Sequence, residues 1–303
     1  MGYFHQLGKV LLYIDAQLAH TPLSDHGPAQ NPLNPLSVDA LSEVACWSKF
    51  HFQRQFQQHC GLTVQNYIRL RRLLRATSQL AFRDTSLSDI SAFSGYQNSE
   101  SFSRAFRALM QQTPGEFRQN PDWQQWQAQQ QQLFPIHQLK QRMHPMDIKV
   151  EISNFPATPV IELLHQGSPA SLGDSIRRFI EFRKNQRLHP TQHATFNFLY
   201  QDPQAVPADE YQFGLAVAAP AQLALESLPP GFRHNMIPAG RCASLEFCGD
   251  DQQLGNLVSY LYQQWLPESG EQLADFPIFL QRKTFFPEVA AHLAQNVIFL
   301  PLR

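Results

Sequence analysis

The sequence predicts two domains, an all-α unit over residues 1–120 and an α+β unit over residues 146–303, with a Gln-rich linker at 121–145 that reads as helical over Trp123–Leu133 and anchored by Trp123 and Trp126. Three observations carry this. Up to about residue 118, apolar residues recur at helical spacing in short blocks between polar turns. Within that stretch one block is repeated at a 50-residue offset. After Met146 the pattern changes to alternating β-branched and aromatic residues. With 303 residues, 43% hydrophobic and 16% charged, the chain can bury two cores and is not disordered by composition.

In the first unit the periodicity predicts helices over Leu7–Leu18, Val38–Ala45, Lys49–His59, Val64–Phe82, Leu87–Phe93 and Glu100–Met110, then a short turn at Pro114–Arg118. Pro22–Pro35 (PLSDHGPAQNPLNP) reads as an irregular loop. The blocks VDALSEVACWSKFHFQRQF and LSDISAFSGYQNSESFSRAF each give a short apolar-striped helix, a turn and a second helix. Ser48 and Asn98 suit N-caps, Phe52/Phe56 and Phe102/Phe106 face inward four residues apart, and Gly61 suits a left-handed C-cap. In the first block's short helix Val38, Leu41 and Val44 form the stripe; in the second, Leu87, Ile90 and Phe93 do so.

Two helix-turn-helix blocks joined by the long helix Val64–Phe82 suit double-stranded DNA. The major groove admits one α-helix, and successive groove faces on one side lie about 34 Å apart. Ser48, Lys49, Phe50, Gln53 and Arg54 form one outward face, and Ser99, Glu100, Ser103 and Arg104 the other. Gln53 has the geometry to read adenine, Arg54 and Arg104 guanine or phosphate, Glu100 a cytosine amine, and Phe50 a thymine methyl. For Arg69, Arg71, Arg72 and Arg75 on the joining helix, phosphate contact and simple solvation stay equally open. Charge agrees with this division: 11 Lys/Arg stand against 8 Asp/Glu in residues 1–120, and 13 against 17 in the remainder.

The arrangement Ser48-x3-Phe52-x-Arg54-x-Phe56 with Gly61 and Tyr67-Ile68, followed by Ile90-x4-Gly95-Tyr96, Phe102-Ser103-Arg104-x-Phe106 and Thr113-Pro114-x-x-Phe117-Arg118, resembles the AraC/XylS family of bacterial transcription regulators. The resemblance spans residues 4–118. Gln111 departs from it, standing where the family has glycine, and the loop at 22–35 reads as an insertion.

In the second unit, IKVEISNF, TFNFLY, YQFGLAVA, RCASLEFC and NVIFLPL alternate as strands, with amphipathic helices at Leu172–Gln186 and Gln252–Trp265. Tyr200-x-Asp202-Pro203, Pro238-x-Gly240-x-x-Ala243 and Trp265-Leu266-Pro267-x-Ser269-Gly270 are similar to the gyrase-inhibitor-like effector domain. That resemblance implies two β-α-β-β repeats around a groove for a small-molecule effector, with Tyr200, Glu246, Phe247, Trp265, Phe279 and Leu280 as candidate lining. It also implies a glutamate that meets cationic ligands, and its position falls on Leu280, with Arg282 where an aromatic is usual. Glu246 and Glu162 are the alternative carboxylates. A neutral or anionic lipophile fits this set as well as a cation does.

No HExxH, GxSxG, Walker or GxGxxG motif occurs, so no catalytic residue, cofactor or metal site is expected. Cys46, Cys60, Cys242 and Cys248 form no CxxC pair and read as reduced thiols, buried or partly buried. The absence of a long apolar run and of a signal-peptide pattern predicts a cytoplasmic protein without membrane contact. The whole reads as a transcription regulator, activator or repressor, with RNA polymerase as a further candidate partner. Two other readings stay open: a ligand-independent regulator whose second domain mediates protein contacts, and a ligand-sequestering protein.

Overall fold

A computed structural model describes residues 2–20, 34–133, 135–136, 139, 148–203, 205–219, 228–249, 251–285 and 294–303. The loop expected at Pro22–Pro35 lies almost wholly outside them, as does part of the Gln-rich segment. The chain divides into two units, Met1–Asp147 and Ile148–Arg303.

The first unit contains α1 (Gly2–His20), α2 (Val38–Val44), α3 (Lys49–Cys60), α4 (Val64–Phe82), α5 (Leu87–Phe93), α6 (Ser99–Met110), α7 (Pro114–Gln119) and α8 (Trp123–Gln131). Small polar residues start each of these from α2 onward. Ser48 Oγ accepts from the His51 backbone N–H at 3.4 Å, and Asn98 Oδ1 from Ser101 at 2.8 Å. Such caps satisfy donors that the helix itself cannot. Thr113 and Glu116 complete a reciprocal capping box on α7. Both second helices of the repeat end in a left-handed residue, Gly61 at φ 72° and Gln111 at φ 58°. Gln111 thus takes the glycine's conformation despite its Cβ.

Helix α4 is shared by two cores. Leu70 and Leu74 pack with Leu11, Ile14, Leu41, Phe52 and Phe56, while Leu73, Ala76 and Leu80 pack with Ile90, Phe102, Phe106 and Phe117. Its apolar residues point in two directions, so one rod carries both subdomains. Phe93 departs from expectation: it is 45% exposed rather than part of the inner stripe, and Ile90 holds that core position. The Gln-rich segment read as a linker contributes to these cores. Trp123 stacks on Phe82 at 5.7 Å, Trp126 Nε1 donates to Thr77 Oγ1 at 2.9 Å, and Leu133, Ile136 and Leu139 are buried in the first core.

The second unit is an eight-stranded antiparallel sheet with β1 (Val150–Phe155), β2 (Thr158–Gln166), β3 (Thr195–Phe198), β4 (Gln212–Ala218), β5 (Phe232–Ile237), β6 (Gly240–Cys248), β7 (Phe279–Arg282) and β8 (Gln295–Leu302). Helix α9 (Leu172–Asn185) lies between β2 and β3 in sequence. Helix α10 (Asp251–Tyr260) lies between β6 and β7, continuing through a π-helical turn at Leu261–Trp265 into α11 (Leu266–Ser269). The strand order β1-β6-β8-β7-β3-β4-β2-β5 reverses when each strand of one half is exchanged for its counterpart in the other. The two expected β-α-β-β repeats are therefore present, related by a pseudo-twofold between β3 and β7, and each is led by an additional edge strand, β1 or β5.

One face of the sheet carries the helices. Phe179 and Phe182 of α9 pack on Ile161, Leu163 and Leu215, while Leu254 and Leu257 of α10 pack on Leu245, Phe247 and Leu280. The other face holds a separate strand-built core of Val160, Phe196, Phe198, Phe279 and Phe299, joined by Phe155. Alternation along the strands produces both.

Candidate functional site

In the first unit the caps and inward phenylalanines orient α3 and α6 so that the expected faces point away from the cores. Lys49, Phe50, Gln53 and Arg54 are all exposed, Phe50 at 86%. An apolar ring that open to water has no packing role in its own domain. Lys49 forms an ion pair with Asp39 of α2. On α6, Glu100 and Arg104 are exposed but pair with one another at 3.0 Å. Ser99 and Ser103 are half-buried, and the Ser103 hydroxyl donates back to the Ser99 carbonyl at 2.6 Å. The second face thus offers fewer uncommitted groups than the first, although the two helices share length, cap type and inner packing.

The arginines of α4 are drawn into the domain. Arg71 Nη2 lies 3.1 Å from Oδ1 of the buried Asp15, and Arg75 donates to the Leu18 carbonyl, so both fasten α1. Arg69 hydrogen-bonds to Tyr96, whose hydroxyl is pushed above its ordinary range by burial. Burial lowers the pKa of Arg72 and of Arg75. These side chains tie subdomains together.

In the second unit the six candidate ligand residues fall on different faces. Phe247 and Leu280 are buried on the helix face, with Trp265 partly buried beside them. Phe279 and Tyr200 belong to the opposite core, because Phe279 and Leu280 are consecutive residues of one strand. Glu246 is exposed and pairs with Lys283 at 2.7 Å. The structure therefore gathers Phe247, Trp265 and Leu280 on one side and leaves Tyr200, Phe279 and Glu246 elsewhere.

At the seam between the repeats on the helix face, Leu280 is paired across strands with Asn197, and Arg282 with Thr195. Arg282 Nε donates to Asn197 Oδ1 at 2.6 Å. Arg183 of α9 donates to the Thr195 hydroxyl, to the Leu188 carbonyl at 2.8 Å and to the His193 carbonyl at 2.9 Å. Burial lowers its pKa to about 10. Two guanidiniums, those of Arg183 and Arg282, stand at this seam, and Leu280 supplies no carboxylate.

Sequence reasoning left Glu162 as an alternative only. The structure buries it completely, at 0% exposure, within the apolar strand TPVIELLHQ. Tyr200 Oη donates to its Oε1 at 2.9 Å; Arg233 Nε and Asn235 Nδ2 donate to its Oε2 at 2.9 and 2.7 Å. A β-carbon at Gly214 would lie 2.6 Å from the same Oε1 and 2.7 Å from Phe198, so glycine is required for this close packing. A carboxylate in an otherwise apolar strand was the signal, but its partners lie 38 to 73 residues away and strand alternation does not name them.

Comparison with known proteins agrees with both halves. A helix-turn-helix domain model matches residues 41–120, and a GyrI-like small molecule binding domain model matches residues 148–303. The chain is 27% identical over 164 residues to the probable transcriptional regulator YgiV of Escherichia coli K12, covering 53% of this chain and 99% of that one. It is 37% identical over 83 residues to the uncharacterized HTH-type transcriptional regulator YbfP of Bacillus subtilis, spanning 28% of that protein's length. The crystal structure of the EcmrR C-terminal domain is similar at a TM-score of 0.43 and 14% identity, covering 52% of this chain and 99% of that one. No helix among the described residues is long and apolar enough to cross a membrane. With its second unit matched from end to end, the protein belongs to the GyrI-like small-molecule-binding family and joins that domain to an AraC-type helix-turn-helix domain, as a DNA-binding transcription regulator.

Proposed function

We propose that this regulator reads a specific double-stranded DNA site with α3 and α6, and that a small lipophilic ligand of its GyrI-like domain alters promoter occupancy or polymerase recruitment. The observation that carries the first part is the repeated helix with an outward polar face, above all α3, where exposed Phe50, Gln53 and Arg54 lie together over a fully buried Phe52/Phe56 pair. Base edges in the major groove offer what these side chains can use: adenine for Gln53, guanine for Arg54 and a thymine methyl for Phe50. Ser48, Lys49, Ser99, Glu100, Ser103 and Arg104 complete the contact surface. Sequence discrimination leans on α3, since Glu100 and Arg104 must first part from each other.

For the ligand, Leu280 in place of a carboxylate and Arg183 and Arg282 at the seam support a neutral or anionic lipophile over a cation, because a buried cation needs a compensating charge. No catalytic role is assigned to the domain. The ligand must favour one functional state over another to act as a signal. A mobility-shift assay with DNA from upstream of the chain's own coding sequence, against scrambled competitor, tests the first part. Indifference to Arg54→Ala and Gln53→Ala would sink the α3 assignment. Thermal shift of the full chain against anionic, neutral and cationic dyes tests the second, and stabilisation by cationic dyes alone would overturn it.

A further inference from the structure

An edge strand exposes a row of unpaired backbone N–H and C=O groups, which is a template for another strand. The eight-stranded sheet ends in two such strands, β1 and β5. Strand β1 pairs with β6 on one side, and no strand among the described residues covers its other side. The segment that leads into it, residues 148–152, reads IKVEI. Ile148 and Val150 pack against the core of the helix face, and alternation puts Ile152 on that same face. There Ile152 is 47% exposed, an apolar side chain half open to water on an open sheet edge. Lys149 and Glu151 alternate to the opposite face, where they pair with each other at 2.5 Å while staying 80% and 62% exposed.

In the antiparallel direction IKVEI is complementary to itself. With Val150 opposite Val150 of a second copy, Lys149 meets Glu151 of that copy, Glu151 meets its Lys149, and Ile152 meets its Ile148. Directly opposed side chains stabilise a sheet, and opposite charges there favour pairing while like charges oppose it. Centring the pair on Lys149 or on Glu151 instead sets like charges face to face, so the charges themselves select the register. We propose that β1 is a dimer interface, on which β1 of a second copy of this chain pairs antiparallel and centred on Val150, joining the two sheets into one. Such a contact uses one patch on both copies and closes on itself. Strand β5 lacks this property: FRHNMI holds Arg233 and His234 but no acid, so self-pairing finds no counter-charge. Pairing β1 with β5 of the next copy would leave an unused edge at each end and grow into a filament. So short a contact lies at the small end of protein interfaces, and association is therefore reversible and concentration-dependent. The dimer is independent of the ligand proposed for the helix face.

Sedimentation velocity of the full chain over a broad concentration range should show monomer passing into dimer, with no larger species. Glu151→Lys and Lys149→Glu each set like charges opposite one another twice per dimer. Each alone should raise the dimer dissociation constant at least about tenfold. An equimolar mixture of the two variants should recover the dissociation constant of the unsubstituted chain, because one then supplies both acids and the other both cations. Both positions are exposed, so circular dichroism should show the fold kept in each variant. A monomer at every concentration, a dimer indifferent to the single substitutions, or a mixture that stays monomeric would each overturn the proposal. Amide hydrogen exchange locates the contact without any substitution: exchange in β1 should slow as protein concentration rises, while exchange in β5 should not. Exchange in β1 that ignores concentration would overturn the proposal equally.

Discussion

The Tyr200 hydroxyl lies 2.9 Å from a carboxylate that water does not reach, and burial together with that negative charge raises its pKa to about 12. In the unfolded chain the phenol titrates near 10, so the unfolded state releases this proton first as pH rises. Tyr200 therefore contributes stability that is complete below pH 10 and lost between about 10 and 12. Tyr200→Phe should flatten that alkaline loss, measured as urea midpoint against pH, while costing about 1–2 kcal/mol at neutral pH for the hydrogen bond removed from a buried acceptor. At the DNA face, Arg54→Ala should weaken specific binding by about 1–3 kcal/mol and relax preference at one base position. Arg104→Ala should cost about 1 kcal/mol, near the lower end, because that guanidinium starts from a pair with Glu100. Fluorescence anisotropy against cognate and single-substituted sites separates the two. Ser48, Phe52, Asn98 and Phe102 could be read from the sequence because a cap or a four-residue spacing is local. Glu162 could not be placed, since its surroundings come from three other strands or strand ends.

Among the elements, the helix ends are where the two repeats differ. Gln111 holds φ at 58°, a conformation costing a non-glycine residue about 1–2 kcal/mol. Gln111→Gly should stabilise the first unit by about 1 kcal/mol, read from its thermal midpoint, with DNA binding unchanged. The same residue is the departure from the resemblance visible in the sequence, and its backbone takes the left-handed conformation of Gly61 regardless. Helix α4 supplies a second test. Arg71→Ala removes the guanidinium beside buried Asp15 and should destabilise the unit by about 3 kcal/mol. If Arg71 instead held phosphate, stability would hold and the salt dependence of DNA affinity would fall by about one ion. Edge strand β5 was not legible as a strand: FRHNMI lacks alternation because an edge strand with little cover on either face has no apolar side to declare. The first unit extends beyond residue 120 for a related reason. Trp123 and Trp126 are legible as anchors of a helix, but Leu133, Ile136 and Leu139 are spaced among polar residues, so composition shows a linker where each of them finds a core.

At the scale of the molecule, the described residues of the two helical cores lie within residues up to Leu139, and those of the three sheet cores lie beyond Asp147. Calorimetry of the full chain should resolve two transitions, with Gln111→Gly moving only one and Tyr200→Phe only the other. A single transition shifted by both substitutions would overturn this expectation. The reversing strand order has a further consequence, for the timing of assembly. Val150 of β1 pairs with Leu245 of β6, and Arg241 of the same β6 pairs with Leu302 of β8. The first repeat emerges from the ribosome with β1 lacking its neighbour, and the sheet cannot close until the last strand is made. Contacts so distant along the chain slow folding, whereas the helix pairs of the first unit are local and form early. During synthesis the DNA-reading half is therefore complete before the half that would control it.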